Sequence, residues 1–176
     1  IGTATNIYNN LIGNLSASAA TGGDAVRGIS FTGTTSSTTI NLSFNTINLT
    51  VAGGTGFGSS GIFHTYSATA TSASLVMKNN IIVNGTTPSG AGLAVAFRRS
   101  ASTSLANYNT ASNNNLFYAG TQGPARFIYS DGVSTASTIA AYKSGIFTAG
   151  IIAPRDAQSV SEYPNFMSTT GLSPNF

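Results

Sequence analysis

The chain has no cysteine, no tryptophan, one histidine and four carboxylates: Asp24, Asp131, Asp156 and Glu162. Without cysteine there is no disulfide framework and no thiolate metal site. A lone histidine, His64, excludes a metal site built on paired imidazoles and leaves a nucleophilic triad one candidate base. No nucleophile-elbow pattern surrounds it, so His64 is expected within or beside an apolar stack. Glycosidases of the usual kind need two carboxylates flanking the scissile bond, and a calcium site needs several oxygen ligands. Here no two acids fall within five residues of each other. The sequence therefore implies neither a metal nor any other cofactor, and it supplies no catalytic residues.

Charge of either sign is also scarce, at 6% of residues against roughly a quarter in ordinary soluble proteins. The cations Arg27, Lys78, Arg98, Arg99, Arg126, Lys143 and Arg155 are scattered, and the net charge of +3 rests on a small excess. A nucleic-acid binder gathers its basic residues on one face or stripe, so nucleic acid is not expected as a partner. No apolar run approaches the roughly 18 residues of a membrane-spanning helix, so no membrane span is expected. What fills the chain instead is Ser, Thr and Asn, 65 of 176 residues, together with 41% hydrophobic residues. That apolar share is too high for a disordered linker.

The order within this composition lies in Asn10, Asn45, Asn80 and Asn115, spaced at a constant 35 residues, each just before an apolar pair or near-pair. A fixed period of this size built from short strands means stacked coils. Three strand-like segments recur. One precedes the asparagine (Thr39–Phe44, Ser74–Lys78 and, more weakly, Tyr108–Ser112). One follows it (Leu11–Leu15, Thr46–Val51, Ile81–Val83, Leu116–Tyr118). The third comes after a Gly/Ser/Thr/Pro-rich connection (Gly28–Phe31, Gly61–Tyr66, Gly92–Phe97, Arg126–Tyr129). In this third segment alternation predicts that Ile29/Phe31, Ile62/Tyr66, Leu93/Val95/Phe97 and Phe127/Tyr129 point one way. His64 then faces inward and Phe63 outward.

These features predict an all-β chain folded as a right-handed parallel β-helix, a solenoid of about four to five coils of roughly 35 residues with three short strands each. At about 4.8 Å per coil the prism is roughly 20–25 Å tall, with Ile12, Ile47, Ile82 and Phe117 forming one core stack. The asparagines are expected at a sharp bend, where Asn tolerates unusual dihedrals and stacked amides can bond to one another and to backbone. Residues 1–132 are read as the coils. Residues 133–176 form a C-terminal cap block of the same domain, with a short helix near 138–143, capped by Ser137 or Thr138, and an extended tail. The start at Ile1, without a methionine and inside a repeat, reads as an excerpt of a longer chain, whose other coils would be neighbours of these.

The cap block runs through a helix containing Tyr142, then Asp156-x-x-Ser159-Val160 and Pro164-x-Phe166. In this, and in its Asn-Asn-hydrophobic coils, the chain from about Asn6 to Phe166 resembles β-helix repeat regions of large secreted bacterial surface proteins. These have a pectate-lyase-like fold and are often non-catalytic. Tyr142 stands where that pattern often has Trp, and Tyr163 where it often has Asp. The resemblance implies export to the cell surface and a role as a stalk or adhesin segment without catalysis of its own. The alternative it implies is a glycan-binding module, or a non-catalytic portion of a polysaccharide lyase or hydrolase. Surface polysaccharide is the partner either reading suggests. Candidate contacts are Phe63 and Tyr118, as exposed rings for stacking on sugars, and Arg98 and Arg99, as anion contacts. The competing expectation for the arginines is an ion pair from Arg98 or Arg99 to Asp131, one coil on.

Overall fold

The computed structural model describes residues 4–34, 37–145 and 151–168. It is an all-β, right-handed parallel β-helix of about four coils. The first sheet stacks β1 (Ala4–Tyr8), β4 (Thr39–Ser43) and β7 (Ser74–Lys78). The second stacks β2 (Leu11–Ile12), β5 (Thr46–Leu49), β8 (Ile81–Asn84) and β10 (Leu116–Tyr118). The third stacks β3 (Val26–Phe31), β6 (Ser59–His64), β9 (Ala94–Arg99) and β11 (Arg126–Ser130), and β12 (Thr135–Ala136) closes it antiparallel to β11. β1 is the coil-one counterpart of β4, 35 residues earlier, and was not among the expected strands. The Tyr108–Ser112 segment contributes only an isolated bridge, Tyr108 to Leu75.

The core is the set of stacks the period requires. Ile12, Ile47, Ile82 and Phe117 lie in register through the second sheet, and the last three are buried. Each fully buried side chain of this size contributes about 1.5–3 kcal/mol. Toward the C-terminal end the core turns aromatic: the Phe97 ring lies 5.0 Å from Tyr108 and 5.7 Å from Tyr129, and Phe117 lies 5.7 Å from Tyr142.

The third sheet departs from strict alternation. Ala96 and Phe97 both enter the core cluster, as do Ile128 and Tyr129, whereas Val95 does not. Val95 is in register with Ser60, and Ser60 donates to Asp24 on the outer side. The two consecutive core-facing positions correspond to Gly61–Ile62 one coil earlier. A Cβ at Gly61 would meet Ile82 Cγ2 at 2.5 Å and the Ala96 carbonyl oxygen at 2.7 Å. A Cβ at Gly28 would be similarly close to the Gly61 carbonyl oxygen, at 2.6 Å, so the first two coils need glycine here, whereas Ala96 and Ile128 fill the position in the next two. Beyond this position the expected phase of His64 and Phe63 holds: His64 is buried and Phe63 half-buried.

The C-terminal block completes the solenoid. Helix α1 (Ile139–Lys143) is capped by Thr138, whose hydroxyl accepts from the Ala141 amide at 3.0 Å. Val160 then pairs with Leu116, adding a further rung to the second sheet.

Candidate functional site

The asparagine row forms a continuous hydrogen-bonded seam. Asn10 Nδ2 donates to Asn45 Oδ1 at 2.9 Å, Asn45 to Asn80 at 3.0 Å and Asn80 to Asn115 at 2.9 Å. Each acceptor oxygen also takes the backbone N–H of the preceding asparagine. The second donor hydrogen goes to a backbone carbonyl: Ile7 for Asn45, Leu42 for Asn80, Met77 for Asn115. The left-handed backbone expected at these asparagines sits one residue earlier instead, at Asn9, Phe44, Asn79 and Asn114, with φ between 56° and 59°. The bend places its strain before the ladder residue, so the amide itself stays on ordinary backbone and aims inward.

The seam ends on a buried carboxylate. Asn115 Nδ2 donates to Asp156 Oδ1 at 3.0 Å, and Asn115 N to Ser159 Oγ at 2.8 Å. Asp156 also accepts from Ser159 Oγ (2.7 Å), Tyr142 Oη (2.8 Å) and Tyr108 Oη (2.5 Å). The Asp-x-x-Ser motif is thus the ladder's last rung. Burial, and then the Asp156 charge, push both tyrosine hydroxyls well above their ordinary pKa, so they serve as donors.

Three of the four proposed contact residues lie in structural networks. Phe63 carries the Arg27 guanidinium 3.6 Å above its ring centroid, so that face is already covered. Arg98 does not pair with Asp131; its Nε lies 3.4 Å from Asp24 Oδ1, while Asp24 Oδ2 accepts from Arg27 Nε at 2.7 Å. Burial lowers the Arg98 pKa, and Asp24 opposes that shift. Arg99 is 1% exposed and donates to the Ser104 carbonyl and to Asn107 Oδ1, each at 2.5 Å. The register explains the correction. Ser130 stands opposite Arg98, so Asp131 comes level with Arg99, where it turns back to accept from the Val133 and Ser134 amides at 2.9 and 2.6 Å. His64 joins the Arg99 network through Asn107 (3.3 Å) and the Ala73 carbonyl (2.9 Å). Burial, with Arg99 nearby, lowers its pKa from 6.5 to about 4.

Tyr118 differs. It ends β10 and lines two contiguous hollows of 220 and 470 Å³ that share Tyr118, Gly120, Thr121 and Arg126. Thr50, Gly85 and Gly120, equivalent positions at the 35-residue period, all border the larger one. The groove therefore crosses three coils, about 10 Å along the axis. Tyr163 also lines the larger hollow, its ring packed 5.3 Å from that of Tyr118 and 53% exposed. Gly120 has φ +79°, and a Cβ there would meet Arg126 Nη1 at 2.5 Å. The glycine lets the guanidinium lie against the turn, where Nη1 donates to the Ala119 carbonyl at 3.3 Å. Arg126 Nε and Nη2 have no protein acceptor among the described residues. Gln122, Thr121, Ser137 and Ser161 supply neutral polar groups to the rim. The lining contains no carboxylate, although exposed Glu162 lies between Ser161 and Tyr163.

Neither Arg126 nor Tyr163 was expected as a site residue. Arg126 follows Tyr118 by eight residues across a glycine-containing turn, a signal present in the sequence. Tyr163 arrives only because the tail folds back along the second sheet, which no local pattern announces. Among the described residues no group of three or more His, Asp or Glu side chains comes together as a metal cage, and no helix is long and apolar enough to cross a membrane. Compared with known protein families, curated proteins and solved structures, the chain gives no match.

Proposed function

We propose that this chain is an adhesin-type β-helix segment of a secreted or cell-surface protein. In this reading it has no catalysis of its own and holds an acidic saccharide in the Tyr118–Tyr163 groove. The observation that carries the reading is an exposed tyrosine ring, Tyr163, packed on half-buried Tyr118 beside an arginine with two uncommitted donor groups. Aromatic faces stack on the apolar faces of sugar rings, and a guanidinium binds carboxylates through paired N–H donors. Neutral hydroxyl and amide groups around the rim suit sugar hydroxyls. The non-catalytic part is supported by what three of the four acids already do. Asp24 braces Arg27 and Arg98, Asp131 accepts from its own turn, and Asp156 terminates the ladder.

Isothermal titration with hexagalacturonate tests this. The wild type binds, Tyr163→Ala weakens binding at least tenfold, and Arg126→Gln removes the preference for hexagalacturonate over a neutral oligosaccharide. Equal affinity in all three proteins contradicts the proposed site. Shortening of the oligosaccharide during incubation contradicts the non-catalytic reading.

A further inference from the structure

Phe44 occupies a position that the other coils fill with asparagine, at Asn9, Asn79 and Asn114, and all four adopt left-handed backbone. Asparagine enters that region readily because its short side chain can bond locally, whereas a phenylalanine Cβ is crowded there. Burial does not compensate, because Phe44 is 59% exposed. A strained, exposed aromatic is thus held where the fold itself favours another residue, and such positions concentrate at binding sites.

The surroundings specify a ligand. Phe44 and Tyr8, itself 62% exposed, flank a 330 Å³ groove on the outer face of the first sheet, floored by Asn6 and Asn41. Asn41 Nδ2 donates to Asn6 Oδ1 at 2.8 Å, which leaves Asn6 Nδ2 and Asn41 Oδ1 without protein partners among the described residues. One free donor and one free acceptor on neighbouring rungs, with the Tyr8 ring further along β1 and the Phe44 ring just past β4, match the hydroxyls and apolar face of a pyranose. Asn9 and Ser43 complete the lining, which carries no charged group.

We infer that this groove is a second saccharide site, distinct from the Tyr118–Tyr163 groove and selective for neutral hexose units. It involves different residues and a different sheet, so it does not depend on the first site.

The test is an NMR titration of the whole chain with cellohexaose and, separately, maltohexaose, alongside thermal unfolding and sedimentation. For at least one of the two neutral probes, the Asn6 and Asn41 side-chain amide signals are expected to shift. Hexagalacturonate should leave them unmoved. Phe44→Asn should keep or raise Tm while weakening that binding at least tenfold, and Tyr8→Ala should weaken it with Tm unchanged. The inference is overturned by no shift with either neutral probe, by undiminished binding in Phe44→Asn, or by a lowered Tm in Phe44→Asn that marks the ring as structural. A wild-type dimer that dissociates on Phe44→Asn also overturns it, assigning the patch to a second copy of this chain.

Discussion

A side-chain amide in a buried bend must find acceptors for two N–H groups and donors for one oxygen, and stacking at 35-residue spacing supplies all of them. Removing one interior member therefore strands groups on both sides. In Asn80→Ala the Asn45 amide and backbone N–H lose their acceptor, while Asn115 Oδ1 and the Leu42 carbonyl lose a donor. Unpaired buried groups cost about 1–3 kcal/mol each, so chemical denaturation of Asn80→Ala should show a loss of about 2–4 kcal/mol. Asn10→Ala acts at the solvated end of the row and should lose about 1 kcal/mol or less. Equal losses would contradict the seam. His64 acts through protonation. Its pKa is about 4 in the fold against about 6.5 in the unfolded chain, so between those values the unfolded chain binds the extra proton. Its contribution is present above pH 6.5 and lost as pH falls toward 4, by about 3 kcal/mol at most. Stability measured from pH 7 to 4 should decline in the wild type and decline less in His64→Gln.

At the scale of elements, the coil is a repeated solution and the C-terminal block is a single one, and this governs how much the sequence disclosed. β7 and β10 coincide with their expected spans because a period read across four coils averages out local ambiguity. The Ile47–Ile82–Phe117 stack was legible for the same reason. The seam's final rung was not. Asp156 lies 41 residues beyond Asn115, outside the period, and takes up the amide only after α1 and the following turn return the chain to the stack. The expected pairing of Arg98 or Arg99 with Asp131 failed because the third sheet does not keep the 35-residue period: Ile62 stands opposite Phe97, 35 residues on, but Phe97 stands opposite Tyr129, only 32 on. Neither Tyr163 nor the Asn6–Asn41 pair was foreseen as a site. The first depends on the returning tail, and the second on the registry of β1, a five-residue strand of the first coil recognisable only as the counterpart of β4, 35 residues earlier. Asp156→Ala leaves the Tyr108 and Tyr142 hydroxyls, Ser159 and the Asn115 amide without their shared acceptor. It should cost about 3–5 kcal/mol, since several buried neutral donors are left unpaired at about 1–3 kcal/mol each. Thermal unfolding that matches the wild type would show that the block is not the ladder's anchor.

Across the whole molecule, the work is divided between an interior that fixes register and an exterior that varies. Hydroxyls and amides hydrate the surface in place of ions, and most of the charge that exists is folded into braces such as Asp24–Arg27–Arg98. Against that background the two exposed aromatic grooves stand out, one beside Arg126 and one free of charge. The division implies that a groove side chain can be removed without loosening the coils. The most direct measurement is a paired one on Tyr163→Ala: calorimetric titration with hexagalacturonate and thermal unfolding of the same preparation. The account predicts at least a tenfold loss of affinity with Tm within a few degrees of the wild type. Undiminished affinity would contradict it, as would a loss of binding that only follows a collapse of Tm.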